Sequence, residues 1–235
     1  MNITKSIMIV AVTVLINSGQ ESSTVTDIDG NVYHTVKIGN QVWTVENLRT
    51  TKYNDGFAIH HITDTAWAND TSGAYCYYNN TTNADSIKKY GALYNWYAVE
   101  TGKLAPKGWH VPSDAEWDTL QNYLIANGYN WDSTKEGNKI AKSLAAQTDW
   151  ETGSEPGVIG NDLTKNNRTG FTALPGGYRI FDGGFVDIGF YGQWWNATAH
   201  SKAGAFLCLL KYNKDYLYRW ALIKSSGYSV RLVRD

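Results

Sequence analysis

The sequence predicts an α+β fold, and three observations carry that prediction. Two segments with helical spacing precede Gly170, and a run of short, glycine-punctuated alternating strands follows it. The composition is aromatic-rich and charge-poor, with ten Trp, sixteen Tyr and 22 Gly against 18% charged residues, which describes a turn-rich globule and not a helical bundle or a disordered chain. At 235 residues the chain can bury a substantial core, and one domain over residues 27–235 is expected.

The N-terminus reads as an export signal. Lys5 supplies positive charge, and Ile7 to Ile16 forms an apolar run too short to span a bilayer, followed by Asn17, Ser18 and Gly19. Residues 1–19 are read as a signal peptide and 20–26 as a linker, so the expected location is secreted or at the cell surface.

Asp27 to Leu48 alternates apolar and polar residues around Asp29-Gly30 and Gly39-Asn40, the pattern of a hairpin or meander. Thr50 to Thr82 reads as long loops with one short strand around Ala74 to Tyr78. Tyr90 to Thr101 places Leu93, Trp96 and Tyr97 at helical spacing, with Gly102 as a left-handed stop. A second helix starts at Ser113, where Glu116 completes a capping box and Trp117, Leu120 and Leu124 form the inward stripe. Lys135 to Ala146 is expected to add a third helical segment. Beyond Gly170, turns at Asn213-Lys214-Asp215 and Ser225-Ser226-Gly227 separate the strands of an antiparallel sheet, the final one being YSVRLVRD.

A formal net charge of −1 offers no positive field, which argues against nucleic acid and membrane surfaces as partners. Catalysis has no visible carriers. His60-His61 are adjacent in a loop, His34, His110 and His200 are isolated, and no Ser-His-Asp spacing or phosphate-cradling loop is present. No cofactor, no metal and no enzymatic activity are therefore expected. His110 is expected to pack or cap beside Trp109 where the second helix begins. Cys76 and Cys208 lie in strand-like apolar runs; a disulfide between them stays open, and two buried thiols fit the pattern better.

The best binding candidate is the hairpin around Asn213. Tyr216, Tyr218 and Trp220 alternate onto one strand face, with Tyr212, Asn213 and Asp215 at the turn. Aromatic rings stack on sugars or anchor proteins, and Asn and Asp add directional hydrogen bonds. The competing reading is that the same face packs into the core. For Trp194 and Trp195, successive strand positions send one ring into the core and the other outward or under a loop.

The blocks DIDGNVYHTVKIGNQVWTVENLRTTKYNDG, YGALYNWYAV, GWHVPSDAEW, GFTALPGGYR, GQWWNAT and GYSVRLVRD together resemble the Fibrobacter succinogenes major paralogous domain family, over Asp27 to Asp235. GWHVPSDAEW also looks like the corresponding segment of sulfatase-modifying, formylglycine-generating proteins, which implies a C-type-lectin-like fold. Members of the resembled family commonly carry a Cys before GWH and another in the last strand. Here Ala105 and Leu232 stand there, and the resemblance implies that they are close together and buried. Sugar-binding C-type lectins use an E-P-N or Q-P-D tripeptide for calcium; Glu155-Pro156-Gly157 lacks the third side-chain ligand, so this segment, with Asn161-Asp162, reads as a surface loop. Formylglycine-generating chemistry needs reactive cysteines, and Cys208 in an apolar strand does not fit that role.

The leading expectation is an exported, non-catalytic recognition module for a glycan or protein ligand, binding through the C-terminal sheet and its loops. The alternatives are a structural adhesion or assembly subunit, and an enzyme related to the sulfatase-modifying proteins.

Overall fold

The computed structural model describes residues 23–235, so the segment read as a signal peptide and the first linker residues lie outside the described residues. The fold is a mixed α+β architecture with few helices and several mainly antiparallel sheets. In chain order the strands are β1 (Thr24–Thr26), β2 (Val32–Ile38), β3 (Gln41–Thr44), β4 (His60–His61), β5 (Ala74–Cys76), β6 (Leu93–Tyr94), β7 (Trp109–His110), β8 (Gly176–Arg179), β9 (Phe185–Ile188), β10 (Tyr191–Ala199), β11 (Gly204–Lys211), β12 (Tyr218–Ile223) and β13 (Val233–Arg234). The helices are α1 (Ala84–Tyr90), α2 (Trp96–Glu100), α3 (Asp114–Ala126) and α4 (Ala141–Leu144).

The N-terminal hairpin forms where the alternation placed it. β2 and β3 pair from Ile38↔Gln41 to Thr35↔Thr44 around the Gly39-Asn40 turn. The last strand then returns to the N-terminal hairpin: β13 lies between β3 and β7, in the order β1-β2-β3-β13-β7. α3 begins at Ser113 with the full capping box, Ser113 Oγ accepting from Glu116 N and Glu116 Oε2 accepting from Ser113 N.

Two expected helices are shorter than their periodicity. The Tyr90 to Thr101 pattern is cut in two, because Gly91 at φ 76° stops α1 and a Cβ there would meet Asn47 Cβ at 2.6 Å. Leu93 and Tyr94 instead pair with β5, and Asn95 restarts a short helix by accepting from Ala98 N at 3.1 Å. Within Lys135 to Ala146 only Ala141–Leu144 is helical. Asn138 turns its amide to Leu217, and Ala145 leaves the helix to bridge Ala173. The final segment is likewise mostly irregular; only Val233 and Arg234 form a strand, with isolated bridges at Tyr228 and Ser229.

The β10-β11-β12 sheet divides the core. One face carries Trp195, Ala205 and Leu207 into a cluster with Tyr94, Trp96, Tyr228 and Leu232. The other carries Trp194, Cys208 and Leu210 into a cluster with Trp43, Trp117, Leu120 and Phe171. Both Trp194 and Trp195 are therefore buried, on opposite sides of the sheet, where the alternation had left one free to lie outward. Ala105 and Leu232 are both buried in the first cluster. Cys76 and Cys208 are buried free thiols in different clusters.

Candidate functional site: an aromatic sheet face

Cross-strand partners share a face, so the registers of β10, β11 and β12 define one surface residue by residue. Trp195, Leu207 and Trp220 lie in one row, and Gln193, Leu209 and Tyr218 in the next. Tyr191 and Lys211 are paired in the row beyond. At the β10 side this face is covered, since Tyr228 meets Trp195 edge-on at 4.7 Å and Tyr178 stacks on Tyr228 at 5.2 Å. At the β12 side it is open, and Trp220 is 58% exposed.

Tyr216 and Tyr218 pack ring to ring, their centroids 4.1 Å apart and their hydroxyls in contact. Burial, and then the contact with Tyr216, pushes the Tyr218 phenol above its ordinary range. Lys211 Nζ lies 5.1 Å from the centre of the Tyr191 ring, and hydrogen bonding to Tyr191 raises the ammonium pKa. Tyr178 closes the other flank; burial, and then Asp187, raises its phenol pKa. Beside Trp220 a groove of about 600 Å³ runs between Tyr178, Phe181, Leu222 and Ile223.

The strand carrying these rings is fixed from behind. Arg219 points to the opposite face, where it pairs with Asp114 and Asp118 on the first turns of α3. An anchored strand presents its aromatic side chains with little ordering left to do on binding.

Of the six residues expected from sequence, Tyr216, Tyr218 and Trp220 share this face, while Tyr212, Asn213 and Asp215 do not join it. Tyr212 packs on the second core cluster and meets Phe190 edge-on at 5.3 Å. Asn213 is half-buried with its Oδ1 enclosed. Asp215 Oδ2 accepts from Trp131 Nε1 at 3.1 Å. The turn reverses the chain, so its side chains leave the strand's alternation, which the sequence pattern could not convey. Tyr191, Lys211, Gln193 and Tyr178 were missed. For the first three the signal existed in the strand alternation, since Tyr191, Gln193 and the buried Trp195 are two residues apart, as are Lys211, Leu209 and the buried Leu207.

A larger cavity, about 820 Å³, lies elsewhere, between Trp131 and the 161–168 loop. Most of its polar lining is already engaged, although the buried Oδ1 of Asn166 has no partner among the described residues. Lys142 Nζ donates to the carbonyls of Val158, Ile159, Asn161 and Asp162, and Gln147 Nε2 donates to those of Thr164 and Asn166. Glu155 is exposed, and Asp162 pairs with Lys165 at 3.1 Å. Among the described residues no group of three or more His, Cys, Asp or Glu is placed to hold a metal. Burial pushes the Cys76 thiol up to about 12 and the Cys208 thiol well above its ordinary value, the reverse of an activated nucleophile.

The Fibrobacter succinogenes major domain family matches residues 36–234. The chain belongs to this family. The family domain thus runs from β2 to β13 and contains the whole aromatic face. No curated protein and no solved structure matches the chain.

Proposed function

We propose that this chain is an exported, non-catalytic recognition module of C-type-lectin-like architecture, which binds a glycan or protein ligand through the face of Tyr191, Tyr216, Tyr218 and Trp220. The observation that carries the reading is the contrast across one strand: Arg219 is locked to α3, while the rings on either side of it stay partly exposed on a rigid sheet. Phenolic hydroxyls, Lys211 and flat aromatic surface form the mixture of stacking and directional hydrogen bonding that sugars require. The lectin-like part of the proposal draws support from the closing strand β13, which pairs beside the N-terminal hairpin, and from the long loops between α3 and β8.

The second reading, an adhesion or assembly subunit, is favoured by the apolar groove beside Trp220, where Phe181 is 53% exposed. A glycan and protein array probed with the mature domain tests the proposal and separates the ligand classes.

A further inference from the structure

A sheet edge carries a row of main-chain N–H and C=O groups that can template another strand. In the β10-β11-β12 sheet the outer edge of β10 is sealed, since Trp195 N donates to Ser229 O at 3.0 Å. The outer edge of β12 is not. Leu217, just before β12, turns its N–H and C=O to the Asn138 side chain, at 3.1 and 2.8 Å. At the far end Lys224 N points the other way, donating to Ala203 O at 2.9 Å on the β11 side. Antiparallel alternation therefore directs the main-chain groups of Leu217, Arg219, Ala221 and Ile223 away from β11.

Asn138 closes this edge at Leu217, and a turn closes it at Ile223, whose carbonyl accepts from Ser226 N at 3.0 Å. Between those ends, the main-chain groups of Arg219 and Ala221 have no hydrogen-bond partner among the described residues. The open window is symmetric about Trp220. A strand laid antiparallel with Trp220 opposite its own copy pairs Arg219 with Ala221 of the second copy, and Ala221 with its Arg219, so that every open group in the window is satisfied. Trp220 then stands against Trp220 of the second copy, at the position where facing side chains are closest.

We propose that β12 is a self-association edge: two copies of this chain pair β12 with β12 about a two-fold axis through Trp220, merging their three-stranded sheets into one. A second copy is the occupant because the window is self-complementary, as an isologous interface requires. A net charge of −1 sets up no long-range repulsion between copies. The one charged side chain of β12, Arg219, is held by Asp114 and Asp118 of α3, so pairing does not bring bare like charges together. This inference does not depend on the aromatic face binding any ligand.

The test uses variants of the full chain with one introduced cysteine, the two native cysteines being buried. In the proposed register opposed Cα atoms at Trp220 approach to about 4.5 Å, within the span of a disulfide. Trp220→Cys should therefore oxidise to a covalent dimer, while Ala221→Cys, which faces Arg219 of the second copy, should not. Sedimentation of the wild-type chain should show a concentration-dependent rise from one chain mass to two. Trp220→Lys, which sets two ammonium groups face to face, should abolish that rise while leaving the melting temperature of the dilute, single-copy chain unchanged. A wild-type chain that keeps the mass of one copy at every concentration overturns the proposal and leaves the edge to a foreign strand. Equal crosslinking of Trp220→Cys and Ala221→Cys overturns the register, and with it the two-fold axis.

Discussion

Arg231 Nε donates to Asn47 Oδ1 at 2.7 Å, with both side chains buried. The same oxygen accepts from Trp194 Nε1 at 2.8 Å, and the remaining guanidinium nitrogens reach the carbonyls of Thr44, Phe171 and Thr172. Among the described residues no carboxylate pairs with this cation. Burial lowers its pKa, and aimed carbonyl dipoles and the Phe171 ring at 4.7 Å replace its hydration. Arg231→Met should cost about 3–5 kcal/mol, because it strips the donor from several buried acceptors at once. Arg231→Lys should not rescue it, since a single ammonium cannot reproduce the planar fork. Urea melts of the two variants check both statements.

Lys142 orders the 158–162 loop in the same manner. Its side chain is buried, and its ammonium is enclosed by loop carbonyls, with no salt-bridge partner among the described residues. Burial, the largest influence, lowers its pKa. Lys142→Met should cost about 3 kcal/mol or more, and hydrogen exchange should accelerate first at the amide of Asn161, which donates to Val158 O within this loop.

His110 makes the domain sensitive to pH. Its imidazole bridges Glu116 Oε1 at 2.7 Å and Asp235 Oδ1 at 2.5 Å, joining the start of α3 to the last residue. Burial opposes the charge, but these hydrogen bonds outweigh it and raise the pKa above 6.5. The stabilisation is then complete below the unfolded value near 6.5 and is lost as pH rises through the folded value. Glu116 works in the opposite direction. Burial would raise its pKa, but Ser113 and His110 hold it below 4.5, so its share is lost in acid as pH falls through that lowered value. Melting temperature should peak between the two limits, and His110→Gln should flatten the alkaline limb.

The aromatic face and the core should respond in opposite ways to truncation. Trp220→Ala removes a mostly exposed ring and should change stability by less than about 1 kcal/mol. Trp195→Ala, in the same cross-strand row but fully buried, should cost about 3–5 kcal/mol. Tyr218→Ala should fall between them, because it loses its packing on Tyr216. Thermal melts of the three variants read this gradient from β10 to β12.

Elements with local causes were legible in the sequence. The Ser113 capping box and the Gly39-Asn40 turn are each written within a few residues and form as written, and the YLYRWALI run forms a strand over its last six residues, Tyr218–Ile223. Tertiary demands hid the rest. Leu93 and Tyr94 have helical spacing but are taken by β5, and Asn138 gives up helix to serve Leu217. The site was legible to the same extent. Tyr216, Tyr218 and Trp220 follow from alternation alone, whereas Tyr178 joins them only through its stack on Tyr228, a partner fifty residues away.

The measurement that bears most directly on a recognition role compares wild-type protein with a Tyr216→Ala, Tyr218→Ala, Trp220→Ala triple variant on one glycan and protein array. Truncated anchors of this kind each cost about 2 kcal/mol or more of binding. The wild type should bind a restricted set of ligands, and the triple variant, still folded by circular dichroism, should lose them. A wild type that binds nothing on the array, or a folded triple variant that binds the same ligands equally well, would contradict the assignment of this face.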